Sequence, residues 1–568
     1  MAALLISWVF AGWLSLVFGL AGIQLLTSFL EEDKRDLLET KIDYVLLFGF
    51  ILITTLTSIL TFFSPINGYV TGAFALAGCG LSYLHWKDLR QIPKNISVGW
   101  RNTSWPLKLA IVTAFVLSMG AIVIEFGESD IWFYHSQAIK WIKEYAIVPG
   151  LGNIHGRFAF NSHFFISSAL FTLWFSEEYV VFSLNSLFFF LLTTRLLINI
   201  NNALREKRWI FFLLNSILVL TCTFQIFPIT NGTSTDAASS IFMLYAILLF
   251  IERTFNEKTI TELVIFWALF FTACTFKLSA VFIGFLLLFH LPLVFRQRKR
   301  VLLLLATGMF ILLPFITRNV LLSGYLVYPV PSLDVLSVDW KIPIEEVILE
   351  KELIEGWSKL PYGGADMDIN DIPNILDVPF GEWFREWWPT RSLKWQSIMI
   401  IDLFTIVLMF FALFKRNYKL ALIGFTIFFN LAFWFIKTPN PRFGFAFLFL
   451  GVALVFAHLL QPVFKYFKPN QYIFVLYALL MVLTSVFKNG TEYTEDWKLT
   501  LLLIPEYVQV STPPEPFQAR NFTLNLPPSE PPAKGIWCYN LPLPCTPFPK
   551  ETLVMRGKDF QAGFRVEQ

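Results

Sequence analysis

Apolar residues run through this chain in blocks of about twenty, the length of a bilayer crossing, separated by short polar stretches rich in Lys and Arg. The first block, residues 2–30, has no charged residue before Glu31 and neither a basic leader nor a small-residue cleavage site, so it reads as a retained helix. Further spans are expected near 44–64, 67–86, 107–126, 178–199, 209–228, 236–252, 259–276, 278–295, 301–317, 396–414, 419–436, 443–460 and 472–487. The pattern therefore predicts an all-α polytopic membrane protein with about fourteen transmembrane helices, within a range of about 12 to 15. The segment 162–176 is apolar too, but counting it as a crossing breaks the alternation of sides. It reads as a short juxtamembrane or re-entrant helix.

Basic loops orient the spans. Lys87/Arg90/Lys94/Arg101, Arg205/Lys207/Arg208, Arg296/Arg298/Lys299/Arg300, Lys415/Arg416/Lys419 and Lys465/Lys468 all fall on one side, expected to be cytoplasmic. The opposite side then receives the three long polar segments. The resulting organisation is N-terminal helices in 1–126, a first outer loop with juxtamembrane helices in 127–177, a transmembrane core in 178–317, a large outer loop in 318–395, C-terminal helices in 396–487 and a Pro-rich tail in 488–568. The tail (PPEP, LPPSEPP, LPLPCTPFP) is expected to be extended and packed on the other outer loops.

Composition agrees with this class. Of 568 residues, 56% are hydrophobic and 15% charged, against about 25% charged in a soluble domain. A net charge of +3, spread along the chain, excludes a nucleic-acid binder. Five cysteines exclude a disulfide scaffold or a multi-zinc protein. Cys538 and Cys545, with six residues between them, are a disulfide candidate in an oxidising compartment. Cys79, Cys222 and Cys274 fall in spans and read as packing residues.

Polar chemistry gathers in 125–163, which holds three of the six histidines. Tyr134, Ala138, Trp141 and Tyr145 recur at helical spacing with Lys140, Lys143 and Glu144 opposite, which predicts an amphipathic helix lying in the interface. Asp130 precedes it and either caps the helix or acts as a placed carboxylate at the membrane surface. His135, Asn153, His155, Arg157, Asn161 and His163 are denser than anchoring requires and suit a phosphate or sugar hydroxyls. The histidines are not at a metal-ligand spacing, so a divalent metal is compatible with the loop but not required. Asp236 lies in TNGTSTD, Lys277 in ACTFKLSAV, Arg318 with Asn319 at the expected start of the long loop, and Arg442 in TPNPRFGF. Each cation alone could simply snorkel. Together they stand on the face that the positive-inside rule leaves poor in cations, and an anionic lipid headgroup such as a polyprenyl phosphate would account for them. Glu345, Glu346, Asp366 and Asp368 read as solvated surface.

This arrangement resembles the GT-C superfamily of integral-membrane glycosyltransferases. Ser129-Asp130 followed by Tyr134-His135 and the 137–145 helix, the TNGTSTD turn, the lysine of FKLSA and Pro441-Arg442-Phe443 are similar to features at corresponding places there. The string YHSQAIKWIKEYAIVPGLGNIHGRFAFNS, with SGYLVYP and LPCTPFP, resembles still more closely a group of uncharacterised bacterial multispanning membrane proteins, which implies a bacterial inner membrane. The superfamily resemblance implies transfer of a hexose or pentose from a polyprenyl-phosphate donor to a glycan, lipid or protein acceptor on the extracytoplasmic face. Asp130 would take the acceptor proton. Lys277, Arg318 and Arg442 would neutralise the leaving phosphate, assisted by His155, Arg157 or His163. Where many relatives carry Lys-Pro-Pro-Leu after the first loop, this chain reads Arg157-Phe-Ala-Phe-Asn161-Ser162. Alternatives are a polymerase or ligase of cell-surface glycans, a transporter or flippase of lipid-linked saccharides, and a non-catalytic membrane scaffold. Transport sites lie near the bilayer midplane, whereas the ionisable residues here gather at span ends.

Overall fold

The computed structural model describes residues 2–33, 35–120, 130–172, 182–230, 232–253, 259–361, 371–464, 466, 469–489, 510, 512–531 and 533–567. Ser129, Asp366 and Asp368, and the basic pair Lys465/Lys468, lie outside the described residues. Helix makes up 74% of the structure, and the described strands form only two short antiparallel hairpins, both in the C-terminal tail. Among the described residues eight helices are long and apolar enough to cross a membrane: Leu4–Leu30, Ile42–Leu60, Leu184–Arg205, Thr235–Glu252, Arg298–Ser323, Leu393–Phe414, Tyr418–Lys437 and Pro441–Phe464. The other six expected spans coincide with apolar helices of 10–17 residues. The chain is thus a mostly helical protein of the multi-pass membrane type, with eight helices of crossing length among the described residues. The 278–295 segment is broken into short turns, Leu278–Gly284, Phe285–Leu288 and Leu291–Val294. The 162–176 segment contains a nine-residue helix, His163–Phe171, too short to cross.

Two differences from the sequence reading bear on the site. Helix Arg298–Ser323 continues past 317 because nothing breaks it before Gly324, which caps it at φ 84°. Arg318 and Asn319 therefore sit in its last turns and not in a loop. The Ser136–Glu144 helix is not laid open in an interface either, since Lys143 is buried with Ala138 and Trp141. The tail covers it: the Gln137 amide donates to the carbonyls of Tyr539 (3.1 Å) and Leu541 (3.0 Å), and Lys140 Nζ donates to those of Asn540 (3.3 Å) and Leu541 (3.2 Å).

Close backbone packing anchors the N-terminal pair of helices. At Gly19 an added Cβ would overlap the Val45 carbonyl, and at Gly49 that of Ser15, so small residues bring the two helices together as in other membrane helix pairs. Helix Ile42–Leu60 then carries polar groups at both ends. At its start Asp43 pairs with Arg195 (Arg195 Nε to Oδ2, 2.8 Å), beside Lys41–Glu262 at 2.8 Å. At its other end, roughly 26 Å away at 1.5 Å per residue, the Thr61 carbonyl accepts from Ile147 N (2.8 Å) and Ile66 N donates to Ile142 (2.9 Å). That second end fixes the first long loop.

Candidate functional site

The site begins at Asp130. Residues Ile131–His135 form a π-turn, and the Ser136 hydroxyl donates to the Ile131 carbonyl at 2.8 Å. Such wide turns are frequent at functional sites. This one buries Ile131, Trp132 and Tyr134 while leaving the Asp130 side chain 20% exposed into a cavity of about 950 Å³. That volume is in the range of ligand pockets.

Six charged side chains from six places in the sequence meet here as one alternating chain. Glu350 Oε1 pairs with Arg157 Nε (3.3 Å), and Arg157 Nη1 reaches Asp130 Oδ1 (3.4 Å). Asp130 Oδ2 accepts from Arg442 Nη2 (3.0 Å), Arg442 Nε lies 3.0 Å from Asp236 Oδ2, and Asp236 Oδ1 pairs with Lys277. Local structure aims each group. Asn440 caps the Pro441–Gly444 turn by accepting from Arg442 N (3.0 Å). Ser234 caps Thr235–Glu252, so Asp236 occupies a first helical turn that favours a carboxylate. Lys277 follows the end of Ile260–Phe276 in extended conformation. Aromatic faces support the cations: Arg157 lies over Phe133 (4.9 Å), Arg442 over Phe443 (5.2 Å) and Lys277 over Phe443 (3.8 Å).

The electrostatics follow from this packing. Burial pushes the Asp130 carboxyl up, but Arg442 and Arg157 outweigh it and hold Asp130 below the usual carboxylate range. Asp130 is therefore ionised. Glu350 is displaced the other way, because burial outweighs the help from Arg157. His135, with Nδ1 3.0 Å from the Thr233 hydroxyl, is pushed by burial down to about 4 and is neutral.

The residues expected from sequence divide into two groups. Asp130, Tyr134, His135, Arg157, Asn161, Asp236, Lys277 and Arg442 line the cavity. His155, His163 and Arg318 are not among its lining residues. His155 is packed between Phe133, Phe158 and Phe548 and accepts the Arg157 backbone N–H on Nδ1 (3.1 Å), so it sets the backbone from which Arg157 projects. His163 bonds the Ser58 hydroxyl (3.1 Å). Arg318 is buried and donates to Asn161 Oδ1 (2.9 Å) and to Thr61. Asn161 in turn donates to the Phe315 carbonyl (2.8 Å), so the loop is tied to helix Arg298–Ser323. Glu346, read as solvated, pairs with Lys550 of the tail at 2.6 Å.

Sequence reasoning missed Glu350, Lys351, Glu355, Trp357 and Lys437. The first four lie in helix Ile344–Lys359, where acids and lysines alternate with apolar residues and nothing in the order marks which ones face inward. Tail residues Ile536 and Trp537 also line the cavity, next to the Cys538–Cys545 disulfide. Among the described residues no group of three His, Cys, Asp or Glu side chains could hold a metal ion.

No curated protein and no solved structure matches this chain. A family model described as a domain of unknown function (DUF8201) matches residues 1–449, which takes in all six members of the charge chain and leaves out the tail. With most of its 568 residues matched, the protein belongs to this family.

Proposed function

We propose that the protein is a membrane glycosyltransferase that moves a sugar from a polyprenyl-phosphate donor to an acceptor hydroxyl on the extracytoplasmic face. The observation that carries this reading is the sharing of Arg442 between Asp130 and Asp236, with Lys277 on the far side of Asp236, in the wall of one large cavity. A phosphate monoanion or dianion fits where those carboxylates now meet their cations. A polyprenyl chain supplies the apolar contact that membrane-embedded walls favour.

In this reading the acceptor oxygen attacks the anomeric carbon as its proton passes to an Asp130 oxygen. The bond from that carbon to the phosphate oxygen breaks, and its electron pair leaves with the phosphate. Fixed cations at Arg442 and Lys277 lower the barrier because the leaving group gains negative charge. A single displacement of this kind inverts the anomeric centre. Asp130 held by two arginines is a weak base, and a bound phosphate changes that: by drawing Arg442 toward itself it returns basicity to Asp130. Proton removal by a placed carboxylate is worth about 10²–10⁴-fold in rate.

The test is binding of a short-chain polyprenyl phosphate to the detergent-purified protein. Arg442→Ala is expected to weaken binding by about tenfold or more, the size of one charge-assisted hydrogen bond. Asp130→Asn is expected to keep binding, since it removes a competitor for Arg442, and to lose transfer. Absence of saturable binding by folded wild type would defeat the proposal.

A further inference from the structure

The cavity has a second cationic pole that the charge chain does not use. Glu355 stands between Lys437, whose Nζ is 3.2 Å from Oε1, and Lys351, whose Nζ is 3.7 Å from the same oxygen. All three line the cavity, and each lysine side chain is 40% exposed while Glu355 is 14% exposed. One carboxylate thus faces two ammonium groups, and among the described residues no further acid pairs with either lysine. A third amine, Lys359, is held below the usual lysine range by burial and then by repulsion from Lys437 and Lys351, Glu355 opposing. The first pole is balanced internally, carboxylate for cation. The second is not.

An aromatic pair shares the cavity wall with both poles. Lys277 of the first pole lies 3.8 Å from the Phe443 ring centre, Phe443 lies 6.4 Å from Trp357, and Trp357 is two residues from Glu355 in the same helix. Both rings line the cavity. Flat apolar rings flanked by hydrogen-bonding charges suit the C–H face of a sugar ring, whose hydroxyls point to the sides.

We infer that Lys351 and Lys437 form a subsite for an anionic group carried on a saccharide, a carboxylate or a phosphate, with the Phe443–Trp357 pair holding the sugar between the two poles. This deepens the proposed glycosyl transfer and rests on it only for the role of the ligand: the second pole selects an acidic glycan as the partner in the reaction. Glu355 holds the two amines apart in the free protein and competes with the incoming anion.

The experiment uses the full-length protein in detergent and three probes: digalacturonic acid, the neutral disaccharide cellobiose, and sn-glycerol 3-phosphate. Wild type is expected to bind digalacturonate about tenfold more tightly than cellobiose, the worth of one charge-assisted contact, and the preference should shrink with added salt. The double variant Lys351→Gln/Lys437→Gln is expected to abolish that preference while binding polyprenyl phosphate as wild type does. Glu355→Gln should tighten digalacturonate binding, a direction that a merely structural role would not produce. Tighter binding of sn-glycerol 3-phosphate than of digalacturonate assigns the anion as phosphate, and the reverse assigns a carboxylate. Equal affinity of wild type for digalacturonate, sn-glycerol 3-phosphate and cellobiose would overturn the inference, as would an acidic preference that survives the double variant. Loss of polyprenyl-phosphate binding in wild type, with the acidic preference intact, would instead defeat the transfer reading and leave the subsite standing.

Discussion

His155 shows how a residue can matter to a site it does not line. Its ring is buried, and its Nδ1 accepts from the backbone that carries Arg157. Burial first, then the charges of Arg157 and Lys550, push it down to about 3, while His135 is held at about 4. In the denatured chain both titrate near 6.5. Between those values the denatured state binds more protons than the folded one, so stability is full above pH ~6.5 and falls as pH falls toward the folded values. Melting temperature in detergent should therefore decline below pH ~6.5, and His155→Leu should flatten that decline while lowering the neutral-pH melting temperature. Asp130 acts in the same direction but later, since a carboxylate held below its ordinary value near 3.9 loses its contribution only in stronger acid. Residue type together with the superfamily resemblance singled out Asp130, Arg157, Asp236, Lys277 and Arg442. It did not reveal that Arg442 joins two carboxylates more than 200 positions apart from it, because pairing across such distances is set by helix packing and not by local spacing.

Elements were legible to different depths for physical reasons. Hydropathy delimits apolar helices well, since the backbone must satisfy itself within the membrane, and so the helical class was readable. Helix ends were less so: Arg318 is polar and near a span end, yet its helix runs on to the Gly324 cap, and Asn161 and Thr61 receive its buried guanidinium. Inward faces within the charged helix Ile344–Lys359 were not readable at all. Helix pairing brings its own surprise in Asp402, a carboxylate buried in Leu393–Phe414 with no cation paired to it among the described residues. It lies against Gly451 of Phe445–Phe464, where an added Cβ would overlap Oδ1. Gly451→Ala should thus lower the melting temperature, and Asp402→Ala in the same chain should recover part of the loss. A coupling of about 0.5–3 kcal/mol is expected for residues in such contact, and additive losses in a double-mutant cycle would refute the direct contact.

For the whole molecule, the tail is the part that sequence least explained. Its Pro-rich composition predicts an extended segment packed on the outer loops, and the described portion reaches the first loop through several separate ties. Trp132 and Tyr539 pack with ring centres 4.6 Å apart, Lys550 Nζ donates to the Asn153 carbonyl at 3.1 Å, and Phe564 N donates to the Pro149 carbonyl at 2.9 Å. Gly150 and Gly563 face one another, both at positive φ (67° and 93°), and an added Cβ on either would overlap the other segment's backbone. Gly150→Ala should therefore loosen the tail, read as faster proteolytic cleavage within 510–567 with the membrane helices intact. Cleavage at the wild-type rate would show that these two backbones do not need to touch.

That attachment has a consequence for the order of biosynthesis. Ribosomes deliver a chain from its N-terminus, so Asp130 and Arg157 are in place while several hundred residues are still to come. Ile536 and Trp537 complete the wall of the cavity only after the membrane helices that precede them have been made, and the neighbouring cysteines must then be oxidised to join. A newly inserted molecule thus passes through a stage in which every member of the charge chain is present and the cavity is still open on its tail side. The cavity wall is thus closed late, and a cell that slows thiol oxidation would accumulate molecules that are inserted but still open on that side.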